Sequence, residues 1–268
     1  MKAFIVSLPS WIIFICTLLV GMGVVSLGVW FTRYRMKRLG KENVGSLGFI
    51  LGALLSLLSF LLGLTYSITQ SRYAERKHLV VEQAKIIETC YLRTSLLPDS
   101  QKLESQRILS NYVDLLVGAN SLAGIEKKIS QLDTLHLHLW YQASSLTLTH
   151  MDPELRALYV GSVNDVLNIF GERKTVAFVF RIPAAIWIVL VLLYISSMFI
   201  LGSEIDPHKI RYTFHVPILA ACFALVITLI GDMDSTTKTS NFIVTQQPLM
   251  DVQNLIRAEK TLSYLPQN

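Results

Sequence analysis

Few residues in this sequence are spaced so that they could do chemistry together. Glu75 and His78 have the Glu-x-x-His spacing of carboxylate-bridged metal sites, but helical bundles of that kind need a second copy of the motif and two further Glu. No second copy occurs, so we interpret this pair as a solvated helix face and expect no metal. His136 and His138 would point to different sides of a helix and would not share a ligand face.

Sequence motifs that bind nucleotides or activate nucleophiles are also missing. There is no Walker loop, dinucleotide fingerprint, zinc motif or nucleophile elbow, so an enzyme is disfavoured and no cofactor is expected. Between Ser71 and Phe178 the chain carries 12 Lys or Arg and 12 Asp or Glu. Because this segment has no basic excess, nucleic acid is not an expected partner.

Composition instead points to a membrane protein. The mean hydropathy is +0.47 and only 16% of residues are charged, whereas a soluble domain has about 25% charged residues. A helix needs roughly 20 apolar residues to cross about 30 Å of hydrocarbon. Four runs are long enough: Ser10–Phe31, Gly45–Ile68, Val176–Leu201 and Tyr212–Ile230. The predicted fold is therefore an all-α, four-span membrane protein with a helical extramembrane domain.

The spans divide the chain into four segments. We predict transmembrane helices 1 and 2 over residues 1–68, a helical extramembrane domain over 69–175, transmembrane helices 3 and 4 over 176–231, and a polar C-terminal tail over 232–268. No Gly or Pro occurs from Leu64 to Leu97, so span two should continue out of the lipid as one helix that runs from Gly45 to Leu97. Helical spacing predicts further helices over Asp99–Val117, Leu122–Leu148 and Pro153–Phe170, a break at Gly171, and a short amphipathic segment over Leu249–Ile256.

Span two carries small residues every four positions, at Gly48, Gly52 and Ser56. Two interpretations stay open. Small residues let neighbouring helices approach closely. Alternatively, the same face, continued by Phe60 and Leu64, lines a narrow pore.

A few charged residues lie at the ends of the spans. Arg181 would either snorkel to the interface or face a polar cavity. Asp232 and Asp234 directly follow span four, where they could hold a cation or simply be solvated. The connector Arg33–Lys41 holds five basic residues and no acid, as a basic helix flank or an anionic-lipid contact would. Basic residues near the span ends are almost equally divided between the two sides, so charge alone does not orient the protein.

The segment Leu61–Pro98 resembles the bacterial membrane-protein family called bestrophin-like. It contains the family's S-R-Y-x-x-R-x-x-L-V signature and its Y-L-R-x-x-L-L-P ending. Tyr159–Pro183 and Leu229–Val252 resemble the same family. In the latter segment, Ser235 stands where Pro is usual and Asn241 stands near the usual Gly.

This resemblance implies kinship with bestrophins, which are pentameric anion channels. It implies a helix-exit motif at Arg72, Tyr73 and Arg76.

The resemblance also implies an apolar neck on span two that gates the channel by losing water. The neck would be formed by Leu64, Phe60 and either Ser56 or Leu57. By the same resemblance the chain is a homo-oligomer in the bacterial inner membrane, with its helical domain and both termini in the cytosol. The alternative is a non-conducting membrane scaffold whose projecting helices bind a partner protein.

Overall fold

A computed structural model describes residues 9–39, 47–118, 122–178, 182–205, 214–235, 242 and 244–263. These residues form helices and no strands, which confirms the all-α fold. Two of the helices are followed by short 3-10 turns, at Thr94–Leu96 and Leu146–Leu148. The helices are α1 (Ser10–Leu39), α2 (Gly48–Arg93), α3 (Asp99–Val117), α4 (Leu122–Ser145), α5 (Pro153–Phe178), α6 (Ala184–Glu204), α7 (His215–Asp234) and α8 (Gln247–Ser263).

Four of these helices are long and apolar enough to cross a membrane: α1, α2, α6 and α7. This confirms the four-span prediction. Helix α2 is unbroken from Gly48 to Arg93, so the prediction of one long helix is confirmed wherever the structure describes it. Gly45, where we expected that helix to begin, lies outside the described residues.

The chain forms two compact units. One comprises Met1–Tyr73 and Arg181–Phe242, and the other comprises Ala74–Phe180 and Ile243–Asn268. The first unit therefore holds α1, the first part of α2, α6 and α7. The second unit holds the rest of α2 with α3, α4, α5 and α8.

Glycines allow α1 and α6 to cross closely in the first unit. A Cβ added to Gly28 would lie 2.3 Å from the carbonyl oxygen of Phe199, and one added to Gly202 would lie 2.2 Å from that of Val25. No side chain fits at either position without moving a helix backbone. The buried core of this unit includes Leu58, Leu62, Leu190, Met198, Ala220 and Ile230.

The core of the second unit is built from α2, α3, α4, α5 and α8. The amphipathic segment predicted within the polar tail lies in α8, and it buries Leu249, Val252 and Ile256 in this core. These three residues bury one stripe of the helix because they are spaced by three and four positions. Other members of the core include Ile87, Tyr91, Leu109, Tyr112, Leu139, Tyr159 and Val163.

The predicted break between the domain and span three is wrong. Helix α5 continues through Gly171 to Phe178, and Val176 is buried in a cluster with Leu79 and Ile169 instead of opening span three. Helix α6 begins at Ala184, after Pro183. An interior Gly costs a helix only about 1 kcal/mol relative to Ala, whereas Pro costs about 3 kcal/mol, so proline and not glycine marks this boundary.

Candidate functional site

Helix α2 turns one face toward the protein in the first unit. Leu58 is 0% exposed and Leu62 is 3% exposed. Thr65 and Thr69 are also buried, and each hydroxyl donates to the carbonyl oxygen four residues earlier, at 2.7 Å and 2.8 Å. These four positions follow helical spacing, so they define the packed face of the span.

The four residues predicted to form a neck lie away from that packed face. Phe60 is 67% exposed, Leu64 is 50% exposed and Leu57 is 46% exposed, and Ser56 is exposed as well. At about 100° per residue, Phe60 lies nearly opposite Leu58 on the helix. We refer to Ser56, Leu57, Phe60 and Leu64 as the neck face.

The small residues beside the neck face do not bring helices of this chain together. A Cβ added to Gly52 or Gly63 would meet nothing within 4 Å, in contrast to the crowded Gly28 and Gly202. Ser59 and Ser67 are exposed on the same side of α2. Close packing within the chain therefore does not explain this face, which is left to contact lipid, to contact another chain or to line a pore.

The helix-exit motif lies on a different side of α2. Arg72 and Arg76 are partly buried, and Arg72 lies roughly 120° around the helix from Phe60. Among the described residues, the Nη1 atom of Arg72 is buried without a hydrogen-bond partner. The ring of Tyr73 meets that of Phe242 edge-on, with centroids 5.7 Å apart. This motif therefore packs against protein and does not continue the neck face.

The acidic residues that end α7 are not simply solvated. Asp232 is 5% exposed, and Oδ1 of Asp234 accepts a hydrogen bond from the backbone N–H of Ile182 at 3.3 Å. Asp234 thus holds the residue just before Pro183, which is the N-cap of α6. Arg181, the other charged residue considered at this boundary, lies outside the described residues.

The residues whose spacing first suggested metal chemistry are spread over the surface and the core. Glu75, His78 and His138 are exposed, whereas His136 is buried. Within the part of the chain that the structure describes, no group of three or more His, Cys, Asp or Glu could hold a metal ion.

Sequence reasoning missed a buried polar network in the second unit. Gln83 is 0% exposed, and its Nε2 donates to the hydroxyl of Tyr112 at 3.1 Å. Arg173 donates from Nη1 to Oε1 of Gln83 and from Nη2 to Oε1 of Gln246, the latter at 3.5 Å. Burial lowers the pKa of Arg173. Within the described part of the chain, the hydrogen bonds that its guanidinium donates go to neutral amide oxygens.

His136 lies next to this network. Its ring is 5.0 Å from that of Tyr112 and 4.8 Å from that of Phe170, and its Nε2 has no hydrogen-bond partner among the described residues. Burial lowers the pKa of His136 to about 4, while Asp133 opposes this shift and Lys174 adds to it. The burial of His136 could have been inferred from the sequence, because His136 follows Leu132 by four positions and precedes Leu139 by three, which places it on the same helix face.

Comparisons with known proteins agree with the fold. The sequence matches the Bestrophin-like domain over residues 19–236. Among proteins with curated descriptions, none matches. Solved structures do match. A bacterial Bestrophin homolog from Klebsiella pneumoniae that carries one substitution has a TM-score of 0.70 and 12% identity, with 92% of this chain and 99% of that chain covered.

A second solved structure, a membrane protein that also carries one substitution, has a TM-score of 0.72 and 12% identity, with 91% and 97% of the two chains covered. At this identity the structural likeness shows the fold alone. The match to the domain family extends over most of the sequence. The chain therefore belongs to the Bestrophin-like family.

Proposed function

We propose that this chain is one subunit of an oligomeric membrane channel whose pathway is lined by the neck face of α2. The observation that carries the proposal is the exposure of Phe60 and Leu64, at 67% and 50%, on a span whose other face is fully packed. Gly52 and Gly63 leave open space on the same side. One exposed helix face cannot enclose a pathway, so several copies around an axis would be needed, as in cyclic homo-oligomers.

Phe60 and Leu64 would form the narrowest part of this pathway. Phe60 has the largest side chain on the neck face, and Leu64 lies one turn further along it. Water leaves a narrow apolar ring easily, and an ion then loses its hydration shell in order to pass. The neck would therefore close by dewetting, without a blocking side chain having to move.

The finer parts of the proposal rest on the resemblance to bestrophins. These parts are a pentamer, the passage of small anions, and an inner-membrane protein with a cytosolic domain and termini. The role of Arg72, Tyr73 and Arg76 as an exit motif has the same basis. The role of Asp232 and Asp234 as polar contacts rests instead on their position directly after span four. Membership in the Bestrophin-like family supports a channel and not an enzyme.

A planar-bilayer recording tests the proposal. The purified protein is reconstituted and the reversal potential is measured in a potassium chloride gradient. Anion passage predicts a reversal potential near the chloride equilibrium value. A value near the potassium equilibrium would show a channel of the opposite selectivity, and silence from protein that is fully inserted would contradict the channel.

The scaffold alternative has one observation in its favour. The second unit exposes several large apolar side chains: Leu148 is 89% exposed, Leu103 is 68%, Tyr141 is 67% and Leu137 is 61%. Exposed apolar patches often mark protein contacts. A scaffold would be silent in the bilayer recording, and it would lose its partner when Leu137 and Tyr141 are both replaced by Ser. Substitutions at Phe60 and Leu64 would leave that binding intact.

A further inference from the structure

Aromatic and basic side chains share one face at the C-terminal end of α1. The rings of Trp30 and Tyr34 stack with centroids 5.9 Å apart and an interplanar angle of 18°. The guanidinium of Arg38 lies over the Tyr34 ring, 5.0 Å from its centroid. Trp30 is 62% exposed and Tyr34 is 45% exposed, so the stack and the cation on it face away from the protein.

The opposite side of the helix is fixed against the protein. Thr32 is 5% exposed, and its hydroxyl donates to the carbonyl oxygen of Ser203 at 2.9 Å. Arg33 and Lys37 are exposed, and helical spacing places them beside Trp30 and Tyr34 on the outer face. The whole of α1 contains no Asp or Glu. Glu204, an acidic residue at the C-terminal end of α6, accepts a hydrogen bond from the backbone N–H of Leu47.

We propose that Trp30, Arg33, Tyr34, Lys37 and Arg38 form a binding surface for the headgroups of anionic phospholipids. The apolar run that ends at Phe31 is itself long enough to cross the hydrocarbon, so Trp30 and Tyr34 fall in the interface, where amphipathic rings are favoured. The three cations follow within two turns and reach the depth of the lipid phosphates. The cation–π contact holds Arg38 in place before lipid arrives.

The ordered aromatic stack is what separates this surface from an ordinary basic flank. A flank of mobile cations is attracted to any negatively charged surface, and its binding free energy depends only on the number of its charges. Here the rings of Trp30 and Tyr34 anchor the helix end at the interface, and Arg38 is positioned by one of them. Each basic residue near an anionic membrane surface strengthens binding about fivefold, the equivalent of about 1 kcal/mol. Three such residues should produce a clear preference for anionic over zwitterionic lipid.

Native mass spectrometry of the detergent-purified full chain tests the proposal. The protein is mixed with equal amounts of phosphatidylglycerol and phosphatidylcholine, and the lipid adducts of each kind are counted. The test variant is R33Q/K37Q/R38Q. The control, K85Q/R107Q/R257Q, removes the same charge from three exposed residues of the second unit whose ion pairs are also exposed.

Wild type and control should retain phosphatidylglycerol in several-fold excess, and the test variant should lose most of that excess. Equal retention of the two lipids by wild type would overturn the proposal, as would equal losses in the test variant and the control. If the triple variant does not fold, Lys37→Gln and Arg38→Gln alone should each remove part of that excess, by at most about fivefold. A variant that keeps the charge, R33K/R38K, should stay within about twofold of wild type, and a larger loss would contradict the electrostatic basis. Lipid retention is measured without ion flux, so this result does not depend on the proposed channel.

Discussion

Leu58 and Phe60 lie two residues apart on α2, yet Leu58 is 0% exposed and Phe60 is 67% exposed. A separation of two residues in a helix turns the side chain to nearly the opposite side. The first residue therefore belongs to the packed core of its unit, and the second belongs to the neck face. Because of this contrast, the proposed pore lining can be tested by comparing how substitutions at the two positions change the stability of the protein.

We expect Leu58→Ala to destabilise the protein and Phe60→Ala to have little effect. Leu58→Ala leaves a cavity among packed helices, which costs on the order of 2 kcal/mol or more, whereas Phe60 borders the proposed pathway and leaves no cavity. Thermal unfolding of both variants in the same detergent measures the difference. An equal or larger loss for Phe60→Ala would mean that the neck face is packed in the assembled protein.

The crossing of α1 and α6 predicts a second contrast. Gly202→Ala would place a methyl group 2.2 Å from the carbonyl oxygen of Val25, whereas Gly23→Ala would meet nothing within 4 Å. We expect Gly202→Ala to cost about 1–3 kcal/mol because the helix backbones must separate. Gly23→Ala is the matched control and should be neutral or slightly stabilising. Indistinguishable melting temperatures for the two variants would show that the helices do not cross through these glycines.

The buried His136 predicts that acid destabilises the second unit. Its pKa falls from about 6.5 to about 4 because burial disfavours the charged ring. Below about pH 6.5 the unfolded chain binds a proton that the folded unit binds only near pH 4. The free energy of unfolding should therefore decrease as the pH falls through this window, by up to about 1.4 kcal/mol per pH unit.

Unfolding of wild type and His136→Phe at about pH 7 and about pH 5 measures this effect. The variant keeps ring contacts with Tyr112 and Phe170 and should lose part of the acid sensitivity. His138→Gln changes an exposed histidine and should retain it. Identical acid sensitivity in wild type and His136→Phe would remove His136 from the explanation.

The Gln83–Arg173 hydrogen bond predicts strong coupling between its partners. Gln83→Leu removes an acceptor from the partly buried guanidinium of Arg173 and a donor from the Tyr112 hydroxyl, which should cost about 1–3 kcal/mol. Arg173→Met combined with Gln83→Leu should cost less than the sum of the two single changes, because no partly buried charge is then left without its partner. A double-mutant cycle of unfolding free energies measures the coupling. Strict additivity would show that the two side chains do not interact.

Much of the fold could be predicted from the sequence, because span length and the spacing of apolar residues are local properties. The continuation of α2 from Leu64 to Arg93 followed from the lack of Gly and Pro in that stretch. The extension of α5 past Gly171 did not, because burial of Val176 stabilises a helix that local propensity alone leaves undecided. The sequence indicated that Leu249–Ile256 is amphipathic, but it did not indicate the core on which that segment packs.

The candidate site was only partly predictable. Helical spacing could group Ser56, Phe60 and Leu64 on one face, but whether that face is packed depends on contacts distant in sequence. Leu58 and Leu62 are buried against other spans, and this burial shows which face of α2 is packed within the chain. The network of Gln83, Tyr112 and Arg173 joins residues far apart in the sequence, so periodicity within one helix could not reveal it.

Single-channel conductance in a planar bilayer tests the central claim most directly, when wild type is compared with F60A/L64A and with I188A/L192A. The control removes two exposed apolar side chains, 59% and 58% exposed, from another span. If the neck face of α2 lines the pathway, F60A/L64A should widen an apolar constriction and raise the conductance, whereas I188A/L192A should match wild type. Unchanged conductance in F60A/L64A, or no current from any of the three proteins, would contradict the proposed role of this face.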